Sequence, residues 1–211
     1  MLGILGGTFD PIHLGHTHIA TQVLQRLDLD QLQFMPCALP VHRGSPHASA
    51  AQRCEMIELA LQGKPRLTLN RLELERAEPS YTIDSLHRLQ SGDALDGELR
   101  KLVLILGGDA FNGFARWKSP GEILELAHVV VCHRPGYRVD EQLFAEHRVD
   151  DVDSLRRLRS GGILVMSVDA IDCSASQLRD ILRRGQAIDD YLDVAVARYI
   201  EQHNLYRNNS D

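Results

Sequence analysis

Apolar and polar stretches alternate from one end of this 211-residue chain to the other. Short apolar runs, typical of buried strands, are separated by segments in which apolar residues recur every three or four positions, which is typical of helices packed on one face. The strand-like runs are residues 2–5, 32–36, 66–74, 102–106, 129–132 and 163–168. The helical runs are residues 16–27, 49–61, 82–89, 120–126 and 176–183, and a last amphipathic segment follows at 191–203.

This alternation of strand and helix predicts an α/β fold, a Rossmann-like, doubly wound parallel sheet with helices on both faces. We expect one domain over residues 1–211, closed by a C-terminal helical segment over about 174–203. The polar stretch 147–162 is expected to be a variable surface connection.

A glycine-rich stretch lies between the first predicted strand and the first predicted helix, Gly-Gly-Thr-Phe-Asp-Pro-Ile-His-Leu-Gly-His at residues 6–16. Glycines let backbone N–H groups approach an anion, and a helix N-terminus adds the positive end of its dipole. His13 and His16 are one helical turn apart at that end. The stretch is neither a Walker A loop nor a dinucleotide fingerprint, and zinc would need a third ligand at a suitable position. It predicts a phosphate site that carries two imidazoles.

A second candidate anion site opens the helix that follows the sixth predicted strand. Serines at a helix start are usually N-caps, and Ser174 and Ser176 fit that role. Arg179 follows Ser176 by three residues, so a hydroxyl and a guanidinium are available together for bidentate contact with phosphate. Two such helix ends suggest a polyphosphate held from both sides.

Further polar residues follow other predicted strands, at the carboxyl edge where open α/β sheets bind ligands. Asp109, in Gly107-Gly108-Asp109, can accept hydrogen bonds from ribose hydroxyls. The only tryptophan, Trp117, has polar neighbours in a Gly/Pro-bounded loop, which favours a stacking surface over core packing. Positive charge at the same edge comes from His42, Arg43 and Arg134.

Composition and charge argue against several classes of protein, including nucleic-acid-binding, membrane and secreted proteins. A net charge of −6 argues against a broad nucleic-acid-binding surface, but not against small anionic substrates. No apolar run approaches the ~20 residues of a membrane span, and Met1 leads directly into the first strand, so neither a membrane nor a signal peptide is expected. The four cysteines form no C-x-x-C pair, which predicts free thiols in the cytoplasm. Without a recognisable covalent nucleophile, the predicted chemistry is direct transfer between phosphates.

Residues 6–16 closely resemble the H-x-G-H nucleotidyltransferase signature, and residues 174–179 resemble the second signature of that superfamily. Three further segments are similar to the bacterial nicotinate-nucleotide adenylyltransferases: residues 79–86, Gly107-Gly108-Asp109 with Trp117, and residues 133–136. Residues 36–43 also resemble the Pro-rich loop of that family. The resemblance runs in order from residue 2 to about residue 183.

The resemblance implies transfer of the adenylyl group of ATP to nicotinate mononucleotide, in line and without a covalent enzyme intermediate, giving deamido-NAD and pyrophosphate. It implies catalytic roles for His16, His13 and Arg179. The implied ATP-binding residues are Gly6, Gly7, Thr8, His13, His16, Gly107, Asp109, Ser174, Ser176 and Arg179. The implied nicotinate mononucleotide-binding residues are His42, Arg43, Thr82, Asp109, Trp117 and Arg134. Mg²⁺ is expected as a cofactor held mainly through the ATP phosphates, with no protein metal site.

The chain departs from the family pattern at three positions. Ala175 and Ser176 stand where a hydroxyl residue and a threonine are usual, and Arg43 stands in place of a lysine. Two other functions remain open: a related transferase whose acceptor is nicotinamide mononucleotide or phosphopantetheine, and a nucleotide-binding sensor without turnover. The sequence leaves the oligomeric state open.

Overall fold

The computed structural model describes residues 1–38, 45–75, 81–92, 100–133, 138–140, 142–169, 171–186, 188 and 190–207. The strands formed by these residues are β1 (Leu2–Gly7), β2 (Gln31–Pro36), β3 (Leu67–Leu69), β4 (Leu102–Gly107), β5 (Ala127–His133), β6 (Arg148–Val149) and β7 (Ile163–Ser167). Their helices are α1 (Leu14–Arg26), α2 (Ala50–Ala60), α3 (Thr82–Gly92), α4 (Gly108–Asn112), α5 (Pro120–Leu126), α6 (Val152–Arg157), α7 (Ala175–Arg183) and α8 (Val194–Gln202). None of these helices is both long and apolar enough to cross a membrane.

The strands form one parallel sheet in the order β3-β2-β1-β4-β5-β7-β6. β1 pairs with β2 on one side and with β4 on the other, so Leu2 lies between Gln31 and Leu102. The chain therefore winds in opposite directions on the two sides of β1, and doubly wound folds bind their ligands outside the carboxyl ends of strands at such a point. The predicted fold class is confirmed.

Both faces of the sheet are covered, which explains why its central strands are apolar along their whole length. Along β4, Val103 and Ile105 face one apolar cluster, whereas Leu102 and Leu104 face another. The first cluster includes side chains of α1, α2, α7 and α8, and the second includes side chains of α3, α4 and α5. Helices thus pack on both faces of the sheet, and the carboxyl ends of its strands are where a ligand can bind.

Two predictions about element boundaries were wrong. The strand predicted at 66–74 ends at Leu69, and Asn70 explains the turn: its side-chain amide donates to Gln33 Oε1 at 2.6 Å while its Oδ1 accepts from Leu72 N–H at 2.8 Å. The stretch 147–162 is not a mere surface connection, because it contains β6 and α6. Leu155 anchors α6 in the core, and β6 extends the sheet at its edge.

Candidate active site

The glycine-rich stretch forms the turn that joins β1 to α1. Phe9 has a φ of 50° and a buried ring, whose centre lies 5.0 Å from the centre of the His16 ring in an edge-to-face arrangement. Two glycines are required by close approach. A Cβ on Gly7 would lie 2.9 Å from the Phe9 ring, and one on Gly15 would lie 2.9 Å from His13 Nδ1. The small residues of the motif thus make room for its own aromatic rings.

His13 and His16 stack at the start of α1, with ring centres 3.7 Å apart. His16 Nδ1 accepts a hydrogen bond from the His13 backbone N–H at 3.3 Å. Burial of the ring, together with the neighbouring His13, holds the pKa of His16 well below its ordinary value. His16 is therefore neutral, and because Nδ1 is an acceptor its proton resides on Nε2.

A cleft of about 360 Å³ opens between the β1–α1 turn and the start of α7. It lies at the carboxyl end of β1, where the sheet topology predicts a ligand site. The lining residues are Gly7, Thr8, Phe9, Asp10, His16, Ser45, Pro46, His47, Ala175 and Arg179. Gly7, Thr8, His16 and Arg179 were predicted from the sequence as site residues, so the structure brings parts of both signatures to one cleft.

Arg179 joins the two signatures directly. Its Nη1 donates to the Asp10 carbonyl oxygen at 2.6 Å, and its Nη2 donates to Ser176 Oγ at 3.2 Å. Ser174 is the N-cap of α7, because its Oγ accepts from the Gln177 N–H at 3.2 Å. The guanidinium is thereby held at the cleft with most of its surface covered.

Asp10 is a buried carboxylate that the sequence prediction did not include among the site residues. It accepts hydrogen bonds from the His47 N–H at 2.8 Å, the Ala48 N–H at 3.0 Å and the Tyr206 hydroxyl at 2.7 Å. Burial by itself would raise the pKa of Asp10, but these hydrogen bonds outweigh it, and the pKa is lowered. Asp10 is thus an ionised anchor beneath the turn.

Arg53 is a second residue missing from the sequence prediction. Its side chain extends from α2, is 1% exposed, and donates from Nη1 to the Thr8 carbonyl oxygen at 2.8 Å. The available sequence signal was its spacing, because Arg53 lies on the same helical face as Met56 and Ile57, which are buried. A cation on an apolar stripe indicates a buried polar partner.

The other predicted residues that the structure describes are not among the described lining residues of this cleft. Gly6 and Gly107 are near the ends of the paired strands β1 and β4, and both are exposed. Asp109 is in the first turn of α4. His13 is buried at the N-cap of α1. His42, Arg43 and Arg134 lie outside the described residues.

Thr82 and Trp117 belong to a neighbouring part of the edge. Thr82 begins α3. Trp117 is half-buried, and its ring centre lies 5.4 Å from that of Phe114 in an edge-to-face contact. Lys118, next to Trp117, connects this segment to α3, because its Nζ donates to Asp84 Oδ1 in the first turn of that helix at 3.2 Å. The structure therefore places Thr82 and Trp117 on adjoining segments.

Comparison with known proteins decides the family. Residues 4–181 match the cytidylyltransferase-like family model. Over 98% of both chains, the sequence is 42% identical to a probable nicotinate-nucleotide adenylyltransferase of Hydrogenovibrio crunogenus. The corresponding protein of Cellvibrio japonicus is 40% identical over 98% of both chains. The chain belongs to the nicotinate-nucleotide adenylyltransferase family. It is therefore a nucleotidyltransferase of NAD biosynthesis, which confirms the predicted family and enzyme class.

Solved structures in this family share the fold. The nicotinic acid mononucleotide adenylyltransferase of Plasmodium falciparum, complexed with NaAD, is similar with a TM-score of 0.76 at 18% identity, covering 97% of this chain and 96% of that one. A Vibrio parahaemolyticus protein described as a nicotinate-nucleotide adenylyltransferase gives a TM-score of 0.66 at 16% identity, covering 99% and 96% of the two chains. At these identities the likeness establishes the fold, and the roles of individual residues remain predictions.

The residues that the structure describes contain no group of three or more His, Cys, Asp or Glu side chains that could hold a metal ion. Among the described residues that line the cleft, Asp10 is the one with a carboxylate, and both of its oxygens already accept hydrogen bonds from the protein. A cation at this cleft would therefore depend on oxygens supplied by a bound nucleotide and water, which is the coordination that Mg²⁺ commonly has with phosphates.

Proposed function

We propose that this member of the family transfers the adenylyl group of ATP to nicotinate mononucleotide and releases pyrophosphate. The observation that carries the proposal is the cleft in which a neutral imidazole donor and a guanidinium face the same space at the carboxyl end of β1. Both groups suit a polyphosphate that gains negative charge during reaction.

The ATP triphosphate would lie across the cleft, with backbone N–H groups of Gly7 and Thr8 on one side and Arg179 on the other. Ser176 would join Arg179 in binding the β- and γ-phosphates, and Gly6, Gly107, Asp109 and Ser174 would bind the rest of ATP. Contact between Arg179 and the Asp10 carbonyl supports this placement, because it aims the guanidinium at the turn that holds the triphosphate.

In the reaction, a phosphate oxygen of nicotinate mononucleotide attacks the α-phosphorus of ATP. The new P–O bond forms as the bond to the oxygen between the α- and β-phosphates breaks, and pyrophosphate leaves with that electron pair. The attacking phosphate is already an anion, so no protein base has to remove a proton. His16 donates its Nε2 hydrogen to the charge that develops on the phosphates, and Arg179 neutralises the departing pyrophosphate. His13 supports His16 through their stacked rings.

We also propose Mg²⁺ as the cofactor, brought by ATP and held by phosphate oxygens and water. When bound, it reduces the negative charge of the triphosphate that the attacking anion approaches. The acceptor would occupy the neighbouring part of the edge, with Trp117 stacking on the pyridine ring and Thr82 addressing the carboxylate. Asp109 would serve both nucleotides, and His42, Arg43 and Arg134 would contribute positive charge. The four free cysteines support a reducing, cytoplasmic setting.

Assays with different acceptors test this proposal. The protein is incubated with ATP and Mg²⁺ together with nicotinate mononucleotide, nicotinamide mononucleotide or phosphopantetheine, and pyrophosphate and the adenylylated products are quantified. We expect deamido-NAD and pyrophosphate in equal amounts with nicotinate mononucleotide, and a lower kcat/KM with the other acceptors. Faster turnover of either alternative would reassign the acceptor. ATP binding without pyrophosphate release from any acceptor would indicate a sensor instead of an enzyme.

A further inference from the structure

Tyr206 lies near the end of the chain, beyond α8, and has no part in the proposed reaction. It is 8% exposed and packs in the cluster that includes α1, α2, α7 and α8. Its hydroxyl donates to Asp10 Oδ1 at 2.7 Å, across 196 positions of sequence. Burial, followed by the nearby Asp10 carboxylate, raises the pKa of Tyr206, so the hydroxyl keeps its proton and remains a donor.

Asp10 connects this hydroxyl to the cleft. Its side chain accepts the Tyr206 hydrogen bond, and its backbone carbonyl accepts Nη1 of Arg179 at 2.6 Å. The second carboxylate oxygen is 3.3 Å from His47 Nδ1. Arg183 Nη2 lies 3.1 Å from the other ring nitrogen of His47, so that nitrogen accepts and Nδ1 carries the proton donated to Asp10.

We infer that Tyr206 is a positioning residue for ATP, because its hydroxyl fixes Asp10 and thereby the carbonyl that aims Arg179 at the phosphates. Asp10 lies in the turn between β1 and α1, so no helix or strand holds it in place. Hydrogen bonds to its carboxylate set its place, and the hydroxyl of Tyr206 supplies one of them from the opposite end of the chain. The inference rests on the proposed function, in which Arg179 binds phosphate.

The chain offers a matched control in Tyr199 of α8. It is also 8% exposed, and burial, followed by the nearby Glu55 carboxylate on α2, raises the pKa of its hydroxyl to about 12. Tyr199 is not among the lining residues of the cleft. Tyr206→Phe and Tyr199→Phe each remove the hydroxyl of a largely buried tyrosine with a carboxylate nearby, and each leaves the ring in place. A purely structural effect is therefore common to both variants.

The experiment measures the affinity for α,β-methylene ATP by calorimetry, and kcat and both KM values by steady-state assay, on the full chain. For Tyr206→Phe we expect the Kd of the analogue and the KM for ATP to rise about tenfold, the loss typical of one charge-assisted hydrogen bond. The KM for nicotinate mononucleotide is expected to stay unchanged. Tyr199→Phe is expected to match the wild type in all four values. Equal affinities of the two Phe variants for the analogue would overturn the inference.

Asp10→Asn perturbs the same contact from its other side. We expect the affinity loss of the double variant Tyr206→Phe/Asp10→Asn to be smaller than the sum of the two single losses, because both changes weaken one contact. Fully additive losses would show that Tyr206 acts elsewhere and would count against the inference. Calorimetry needs no turnover, so a wild-type chain that binds the analogue but forms no deamido-NAD contradicts the proposed function and still leaves the role of Tyr206 measurable.

Discussion

The proton on His16 Nε2 is the feature of a single residue on which the proposed chemistry most depends. The His13 N–H occupies Nδ1, and burial keeps the ring neutral, so the donor is present before substrate binds. A fixed donor needs no reorganisation as charge develops in the transition state. This arrangement favours a role in charge stabilisation over a role as a general base.

We predict that His16→Ala lowers kcat by about 10²–10³ and changes the KM for ATP far less, because the lost interaction forms mainly in the transition state. His16→Gln keeps an N–H donor at a similar distance from the backbone and is expected to recover part of that loss. Steady-state assays with varied ATP provide the measurement. A kcat unchanged in His16→Ala would remove the residue from its role, and no recovery by Gln would point to proton abstraction instead of donation.

At the scale of elements, the first turn of α1 must approach the His13 ring closely. Gly15 is the residue that permits this, since a Cβ there would lie 2.9 Å from Nδ1 and 3.0 Å from Cε1 of His13. The ring would have to move, and it stacks on His16. Helix propensity alone favours alanine over glycine by about 1 kcal/mol, so geometry and propensity oppose each other here.

Gly15→Ala is therefore expected to lower kcat about tenfold through displaced imidazoles, although alanine is the better helix former. Gly121→Ala is the matched control, because Gly121 lies near the start of α5 and a Cβ there meets nothing within 4 Å. Thermal melting and kcat are measured for both variants. A loss of kcat that is the same in the two variants, or absent from both, would contradict the steric explanation.

Elements with strong periodicity were predictable, and short ones were not. The apolar runs of β1, β4 and β5 identified buried strands because both faces of the sheet are covered. The two-residue strand β6 and the five-residue helix α4 have no such periodicity, since they span less than the pattern needs to repeat. β6 forms because β7 offers a free edge, which is a tertiary cause that no local pattern records.

At the scale of the whole molecule, the cleft combines residues that sequence motifs mark with residues that only the fold brings near. His16 and Arg179 were predictable because each lies in a signature at a helix start. Asp10 lies in the same signature, yet its role depends on Tyr206, 196 positions away, and on Arg179, 169 positions away. The parallel sheet and its helices determine these distances, so the contacts that hold the site follow from topology.

The fold also buries a histidine at the opposite end of the sheet, near the start of β5. His128 is fully buried, and its Nδ1 accepts from the Gly162 N–H at 3.1 Å. Burial, with a smaller effect of Lys101, lowers its pKa from 6.5 to about 4. In the unfolded chain His128 therefore binds a proton below about pH 6.5, whereas in the folded chain it does so only below about pH 4.

Stability is expected to fall as the pH drops through this window, with His128 accounting for about 2 kcal/mol of the loss between pH 7.5 and pH 5. His16 acts in the same direction, because its pKa is also lowered. His128→Asn keeps an acceptor for the Gly162 N–H but does not titrate, so its free energy of unfolding should fall less over the same range. Urea unfolding of both proteins at pH 7.5, 6 and 5 measures the difference. If the free energies of unfolding of the two proteins fall in parallel, His128 has an ordinary pKa in the folded chain and the prediction is wrong. If they converge at low pH, the buried His128 is neutral in the folded chain.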